Sequence, residues 1–163
     1  MKKVYYDMCE SNGYAAIFPR EIELVPAGAK LHSMPVNVKN AEYQKYADIY
    51  DLRFIFDDDI PQIGFYTVPY VDIFARDSIG GLFGTVGQTT GISVAAPICY
   101  ISDSRDCFLI ANGLRDFLQM LESGQDWRSA MITNHDITVF TSKADAEQHF
   151  EFVDISQGAP NFD

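Results

Sequence analysis

The sequence has few basic residues and no long apolar run, and each lack excludes a class of protein. Only 12 of its 163 residues are Lys or Arg, against 23 that are Asp or Glu, for a formal net charge of -11. Because a surface this acidic repels phosphate backbones and anionic lipids, we expect no binding to nucleic acid or to a membrane surface. No stretch approaches the roughly 20 apolar residues that span a bilayer.

The sequence also lacks paired cysteines. Cys9, Cys99 and Cys107 are an odd number without C-x-x-C spacing, and therefore do not form the disulfide framework of a small secreted domain. The first residues include two lysines, but Asp7 and Glu10 appear before any apolar region of a signal peptide. We expect reduced, mostly buried thiols and a cytoplasmic protein.

No internal repeat, low-complexity segment or linker divides the chain. With 47% hydrophobic residues it is long enough for one core, because a domain of about 150 residues buries roughly 68–70% of its unfolded surface. We predict a single domain over residues 1–163, with an irregular N-terminal part at 1–40 and a loose tail at 156–163.

Apolar runs bounded by turn residues predict the strands of a sheet. The predicted strands are 52–56, 63–68, 71–75, 82–86, 98–101, 107–111 and 137–140, with one more within 87–97 and short strands or loops at 14–18 and 22–25. Between 71–75 and 82–86, Gly80 or Gly81 can adopt the positive φ of a tight hairpin turn.

Helical periodicity predicts two helices, and a capping box predicts a third. Asn40 can cap a helix over 41–51, in which three tyrosines share the face that packs on the sheet. A second helix begins at Asn112 and ends before Gly124, and a third begins at Ser142 and runs to Phe152. Strands and helices in this order predict an α+β fold with a central, mainly antiparallel sheet.

The densest charge cluster is Asp57-Asp58-Asp59. On an extended chain Asp57 and Asp59 point the same way, as a divalent cation site requires. No His or Glu lies nearby at ligand spacing, and the EF-hand pattern is absent, so a solvated turn before Pro61 is the favoured interpretation.

Two short segments resemble catalytic or phosphate-binding loops only in part. The glycines of 80–87 match neither G-x-G-x-x-G nor the P-loop pattern, and a hairpin turn with a tightly packed strand explains them. The segment Gly91-Ile-Ser-Val-Ala95 lacks the second glycine of G-x-S-x-G around Ser93.

The three histidines, His32, His135 and His149, are scattered, so a metal site or a catalytic triad requires tertiary convergence. Cys99 or Cys107 with His135 is one conceivable pair of nucleophile and base, although the apolar neighbours of both cysteines favour buried structural thiols. We predict no catalytic, cofactor-binding or metal-binding residue, and therefore a protein that is not an enzyme.

The middle of the chain resembles the SUKH superfamily, which includes bacterial immunity proteins and fungal regulators of cell-wall glucan synthesis. The resemblance covers about 68–122 and begins with Ile73-Phe-Ala-Arg-Asp-Ser-Ile-Gly-Gly-Leu-Phe83, an apolar strand, an acidic glycine-containing turn and a second apolar strand. It continues through 98–100 and 107–111 into Leu114-Arg-Asp-Phe-Leu118, which is similar to the closing helix of that family.

The resemblance implies an α+β fold and a non-enzymatic role, in which the protein binds and neutralises a toxin, often a nuclease. The acidic charge suits attraction to a basic toxin, and we assign it to the acidic loops that contain Asp57, Asp58, Asp59, Asp103 and Asp106. Two alternatives remain, a regulatory scaffold that binds a native cellular protein, and a small-molecule binder or enzyme with a buried site.

Overall fold

The apolar runs of the chain form most of the strands of the fold. The computed structural model describes residues 1–9, 20–87 and 95–155. Its strands are β1 (Lys2–Asp7), β2 (Ile22–Ala27), β3 (Ala29–Leu31), β4 (Arg53–Phe54), β5 (Tyr66–Val68), β6 (Val71–Arg76), β7 (Leu82–Val86), β8 (Ile98–Ile101), β9 (Cys107–Ala111), β10 (Ile132–Thr133) and β11 (Thr138–Phe140). Its α-helices are α1 (Ala41–Tyr50), α2 (Leu114–Glu122) and α3 (Lys143–Glu147), with short 3-10 turns at Val36–Val38 and Trp127–Ala130.

The main sheet has the strand order β10-β9-β8-β7-β6-β3, and β4 also pairs with β6. All of its pairings are antiparallel except β3 with β6, which are parallel. Two smaller ladders join β1 to β2 in parallel and β5 to β11 in antiparallel. The α+β fold with a mainly antiparallel sheet in a single domain is confirmed.

Alternating side chains of the central strands fill a core on each face of the sheet. On one face Phe83 packs with Phe117 and Leu121 of α2 and with Trp127, and all four are almost completely buried. On the other face lies a second cluster, which consists of Ile55, Val71, Ile73, Leu82, Cys99, Ile101, Cys107 and Ile137. The sheet is therefore buried on both sides, which agrees with strands that read as nearly continuous apolar runs.

Helix α1 begins where its capping residue predicts. The Asn40 side chain accepts hydrogen bonds from the backbone N–H groups of Glu42 and Tyr43, at 2.9 and 3.4 Å. Tyr43 and Tyr46 are half-buried and pack edge-on against Phe54 of β4. The predicted aromatic face of this helix is confirmed.

Helix α2 begins two residues later than predicted. Its N-cap is Gly113, with no side-chain hydrogen bond to the helix, so Asn112 does not start it. Its predicted end is confirmed, because Gly124 has a φ of +89° and its N–H donates to the carbonyl of Leu121.

The third helix is shorter than predicted. Ser142 caps it by accepting a hydrogen bond from the N–H of Asp145 at 3.2 Å, but α3 ends at Glu147 rather than at Phe152. Residues 148–150 form a turn, and 151–153 then pair with β1, since the N–H of Tyr5 donates to the carbonyl of Glu151 and the N–H of Val153 donates to that of Tyr5.

The N-terminal part is more regular than predicted. Residues 1–40 contain β1, β2 and β3, and β1 has no counterpart among the predicted strands. The strand predicted over 63–68 covers only Tyr66–Val68, and the extended segment 52–56 forms ladder pairs only over Arg53–Phe54. The predicted strand at 14–18 and the predicted loose tail lie outside the described residues, as does most of 87–97.

Candidate functional site

Three connections meet at one end of the main sheet. Residues 77–81 join β6 to β7 and residues 102–106 join β8 to β9, so two neighbouring hairpins turn at the same end. The connection 57–65 between β4 and β5 lies beside them, because Asp59 forms an ion pair with Arg76 at the end of β6. We call these three segments together the loop end.

The segments of the loop end lie close to one another. A Cβ atom placed on Gly80 would lie 3.4 Å from the Cβ of Asp103, and one placed on Gly64 would lie 3.8 Å from the guanidinium of Arg105. The acidic turn at 103–106 therefore lies next to both other segments of the loop end, although these segments are far apart in the chain.

Asp77 organises the turn between β6 and β7. Its carboxylate is buried and accepts hydrogen bonds from the N–H groups of Ile79 and Gly81, at 3.0 and 2.8 Å. The hydroxyl of Tyr100 donates to the other oxygen of Asp77 at 2.5 Å. Burial, followed by this hydrogen bond to a carboxylate, raises the pKa of Tyr100 well above its ordinary value. The turn is thus held in one conformation, and Gly80 takes the predicted positive φ, +93°.

Asp51 connects this turn to two other elements. It follows α1 in the left-handed conformation and accepts hydrogen bonds from the backbone N–H and hydroxyl of Ser78, at 3.0 and 2.8 Å. Arg128 donates to it at 2.9 Å, and Arg53 lies 3.4 Å away. Partial burial raises the pKa of Asp51, but the hydrogen bonds from Ser78, Arg128 and Arg53 outweigh burial and lower the pKa below its ordinary value.

We expect Asp51→Asn to lower the free energy of unfolding by about 1–2 kcal/mol at pH 7, because Ser78 and Arg128 lose a charged acceptor. A depressed folded pKa stabilises the protein above the unfolded pKa of about 4, and this stability is lost as the pH falls through the folded value. Urea unfolding of both proteins between pH 7 and pH 3 measures the difference, which should shrink towards acid.

Asp126→Asn is the matched control for Asp51→Asn. Asp126 also lies near Arg128, at 3.9 Å, but its side chain is 62% exposed, and exposed pairs contribute about 0–1 kcal/mol. We expect almost no change in stability for this variant. A stability difference between wild type and Asp51→Asn that stays constant from pH 7 to pH 3 would contradict the assignment of the effect to this carboxylate's charge.

The negative charge of the first acidic turn, residues 57–59, is largely compensated by neighbouring groups. Asp58 forms an ion pair with Lys39 at 3.1 Å, and Asp59 forms one with Arg76. Asp57 instead accepts a hydrogen bond from the hydroxyl of Ser33 at 2.5 Å. These contacts agree with a solvated turn rather than with a cation site.

The second acidic turn presents its charge to solvent. The Ser102 hydroxyl accepts a hydrogen bond from the N–H of Asp106 at 3.1 Å, and Arg105 takes the left-handed conformation with a φ of +68°. Asp103 and Asp106 are exposed, and neither takes part in an ion pair with another residue of the described ranges.

Two exposed isoleucines lie on the same surface. Ile60, directly after the first acidic turn, is 53% exposed, and Ile79 at the tip of the β6–β7 turn is 68% exposed. An open cleft of about 570 Å³ lies between their segments, and Pro61, Gln62 and Gly80 contribute to its wall. The loop end thus combines apolar side chains, a concave surface and unpaired carboxylates.

A buried polar network lies near the opposite end of β6. Asp72 is fully buried, and one of its oxygens accepts hydrogen bonds from the hydroxyl of Tyr70 and from the Nε2 atom of His32, both at 2.5 Å. Burial and then the neighbouring carboxylate raise the pKa of Tyr70. The backbone N–H of His32 donates to Ile73, so this network attaches the end of β3 to β6. This network is not among the sites predicted from the sequence, although an Asp inside the apolar run 71–75 is a visible signal of it.

The structure does not assemble the other candidate histidines into a site. His149 is exposed and stacks on Phe140, with ring centroids 5.5 Å apart. His135 is also exposed, in the turn after β10, where the N–H of its neighbour Asn134 donates to the carbonyl of Cys107. The two candidate nucleophiles, Cys99 and Cys107, are buried as predicted.

The glycines of 80–87 serve the hairpin and the packing of β7. Gly81 and Gly84 have no room for a side chain, because a Cβ atom there would overlap Tyr100 and β6 respectively. Most of the segment 91–95, with Ser93, lies outside the described residues.

Within residues 1–9, 20–87 and 95–155, no group of three or more His, Cys, Asp or Glu side chains could hold a metal ion. None of the helices in these ranges is long and apolar enough to cross a membrane.

A comparison of the chain with protein-family models finds none that matches. Comparisons with curated proteins and with solved structures find no match either.

Proposed function

We propose that this chain is a non-enzymatic protein-binding domain, an immunity protein that neutralises a bacterial toxin by binding it through the loop end. The observation that carries the proposal is that the exposed Ile60 and Ile79 and the acidic turn at 103–106 lie on adjacent segments of the loop end. Stable interfaces combine an apolar centre with a polar rim, and this surface offers both.

Charge supports a basic partner, such as a nuclease. The chain has a net charge of -11. At the loop end Asp58 and Asp59 form ion pairs, whereas no cation of the described residues forms one with Asp57, Asp103 or Asp106. Unmatched carboxylates raise the association rate with a cationic partner. We therefore assign the attraction mainly to Asp103 and Asp106, with a smaller contribution from the first acidic turn.

The order of elements over 68–122 supports the immunity role through the resemblance to the SUKH superfamily. That stretch consists of β6, an acidic glycine-containing turn, β7, β8, β9 and the closing helix α2. These are the elements on which the resemblance was based, and immunity proteins of that superfamily bind toxins directly.

Co-expression with a toxin domain encoded beside this chain tests the proposal. We expect this chain to restore growth to cells that express the toxin domain, and the purified proteins to form a complex. Failure of rescue with every adjacent toxin would overturn the immunity role. Capture of a native cellular protein at the loop end, without rescue, would favour the regulatory alternative.

We expect the double variant Ile60→Ser/Ile79→Ser to raise the Kd for the partner at least about tenfold, because each buried isoleucine contributes about 1.5–3 kcal/mol. Asp103→Asn/Asp106→Asn should instead slow association and weaken its salt dependence. Association and dissociation rates, measured at two ionic strengths with one partner immobilised on a sensor surface, separate the loss of apolar contact from the loss of electrostatic attraction.

Ile132→Ser and Glu23→Gln are the matched controls for these variants. Ile132 is 67% exposed on the edge strand β10, and Glu23 is exposed on β2, both outside the loop end. Neither should change binding. Equal losses in the control and loop-end variants would place the interface elsewhere.

A further inference from the structure

Two cysteines meet on one face of the sheet. The register of β8 with β9 pairs Cys99 with Leu109 and Ile101 with Cys107, so the two thiols are diagonal neighbours on the same face. Both belong to the cluster on the face opposite α2, where the two thiol groups lie close enough to interact.

The environments of the two thiols differ. Cys99 is completely buried, whereas Cys107 is 7% exposed. The hydrogen bond from Cys99 lowers the pKa of Cys107 and, with the backbone N–H of Phe108, outweighs the burial that raises it. The same contact and complete burial raise the pKa of Cys99. Because Cys107 is also the less buried of the two thiols and lies at the edge of the cluster, it is the one that a reagent can reach and that ionises more readily, with Cys99 as its neighbouring donor.

A cleft gives small molecules access to Cys107. It has a volume of about 420 Å³, within the range of small-molecule sites, and Cys107 lines it together with Arg105, Asn134 and Ile137. Ile137 packs in the same buried cluster as the two cysteines, so the cleft opens on the side of the sheet to which the thiols point. The charged groups that line it are Arg105 and Asp106.

We propose that Cys107 is a modification site that forms a mixed disulfide with small disulfides of the glutathione class, while Cys99 acts as its hydrogen-bond donor. The Cys107 thiolate attacks one sulfur of the disulfide, a new S–S bond forms, and the other half leaves as a thiolate. The exchange is balanced without a further oxidant. Arg105 offers a cation for a carboxylate of the incoming disulfide.

Cys9 is exposed and therefore open to the same reagents, so the test uses the full chain with Cys9→Ser. We expect oxidised glutathione to add one glutathionyl group to this protein at Cys107, as measured by intact and peptide mass spectrometry without denaturant. The rate should rise with pH around a midpoint below the ordinary thiol pKa of about 8.5. Adding Cys107→Ser should abolish the adduct.

Variants at Cys99 separate a reactive thiol from a merely accessible one. Cys99→Ala removes the donor and should slow the reaction about tenfold at pH 7, with its pH midpoint shifted upward by about one unit. Cys99→Ser keeps a donor and should retain most of the rate. Circular dichroism and urea unfolding establish that each variant is folded.

Three results would overturn the proposal. They are an adduct that forms only in denaturant, a rate that Cys99→Ala leaves unchanged, and an internal disulfide in place of the mixed one. Because the test needs no protein partner, its outcome is independent of the proposed toxin-binding role.

Discussion

Trp127→Ala is expected to lower the free energy of unfolding by about 3–5 kcal/mol, a large part of the stability of a domain of this size. The indole is 1% exposed and packs against the rings of both Phe83 and Tyr100, with centroid distances of 4.8 and 4.9 Å. Its N–H donates to the carbonyl of Tyr50 at 2.7 Å. Truncation leaves a cavity at the centre of the core and an unmatched carbonyl at the end of α1.

Urea unfolding followed by circular dichroism measures this loss. Trp127 is the one tryptophan of the chain, so its fluorescence gives a second probe for the wild type alone. Trp127→Phe is the graded control, because it keeps an aromatic ring and loses mainly the hydrogen bond and some volume. It should lower the free energy of unfolding clearly less than Trp127→Ala does. A loss below about 1 kcal/mol for Trp127→Ala would contradict the packing described here.

The same substitution should also weaken partner binding. Trp127 packs on Tyr100, whose hydroxyl holds Asp77 and with it the turn that carries Ile79. Loss of the indole releases Tyr100 from one side, and the turn becomes less well ordered before binding. Binding then includes the entropy of ordering that turn, so the Kd rises even though Trp127 itself is buried.

Gly84→Ala is expected to lower the free energy of unfolding by about 1–3 kcal/mol, because an extra methyl group in a close-packed core forces the backbone to move. A Cβ atom at Gly84 would lie 2.8 Å from the carbonyl oxygen of Asp72 and still closer to a methyl group of Val71. The pairing of β6 with β7 is irregular at this point, between Ile73 and Ala75. Glycine allows the two strands to approach closely where the register shifts.

Gly64→Ala is the matched control, because it adds the same methyl group where the nearest atom, on the flexible Arg105 side chain, is 3.8 Å away. We expect a change within about 0.5 kcal/mol for it. Thermal and urea unfolding of the two variants should separate them clearly. An equal loss of stability in both variants would contradict close packing at Gly84 as the cause, because the unfolded-state effect of replacing glycine by alanine is stabilising.

The central strands could be predicted because local signals agree there. Val71–Arg76, Leu82–Val86, Ile98–Ile101 and Cys107–Ala111 form within one residue of their predicted bounds. Each is a short apolar run with turn residues at both ends, and such a run favours a buried strand whatever its neighbours are.

Other elements could not be predicted because distant residues determine them. The third helix is predicted to continue past Glu147 to Phe152, but Phe150 and Phe152 instead pack against Tyr5, with ring centroids 4.8 and 6.1 Å from that of Tyr5. β1, with charged residues at both ends, is a strand because it pairs with β2 along all six residues. Tertiary pairing outweighs a weak local preference in both cases.

Local chemistry in the sequence determined the caps and turns at Asn40, Gly80 and Ser142, the α+β class and the acidic charge. Only the tertiary structure decided which acidic residues are compensated, that the segments carrying Ile60 and Ile79 border one cleft, and that Cys99 lies beside Cys107. The physical reason is range. Caps and turns depend on hydrogen bonds within about four residues, whereas ion pairs, clefts and thiol contacts depend on strand register and packing between distant segments.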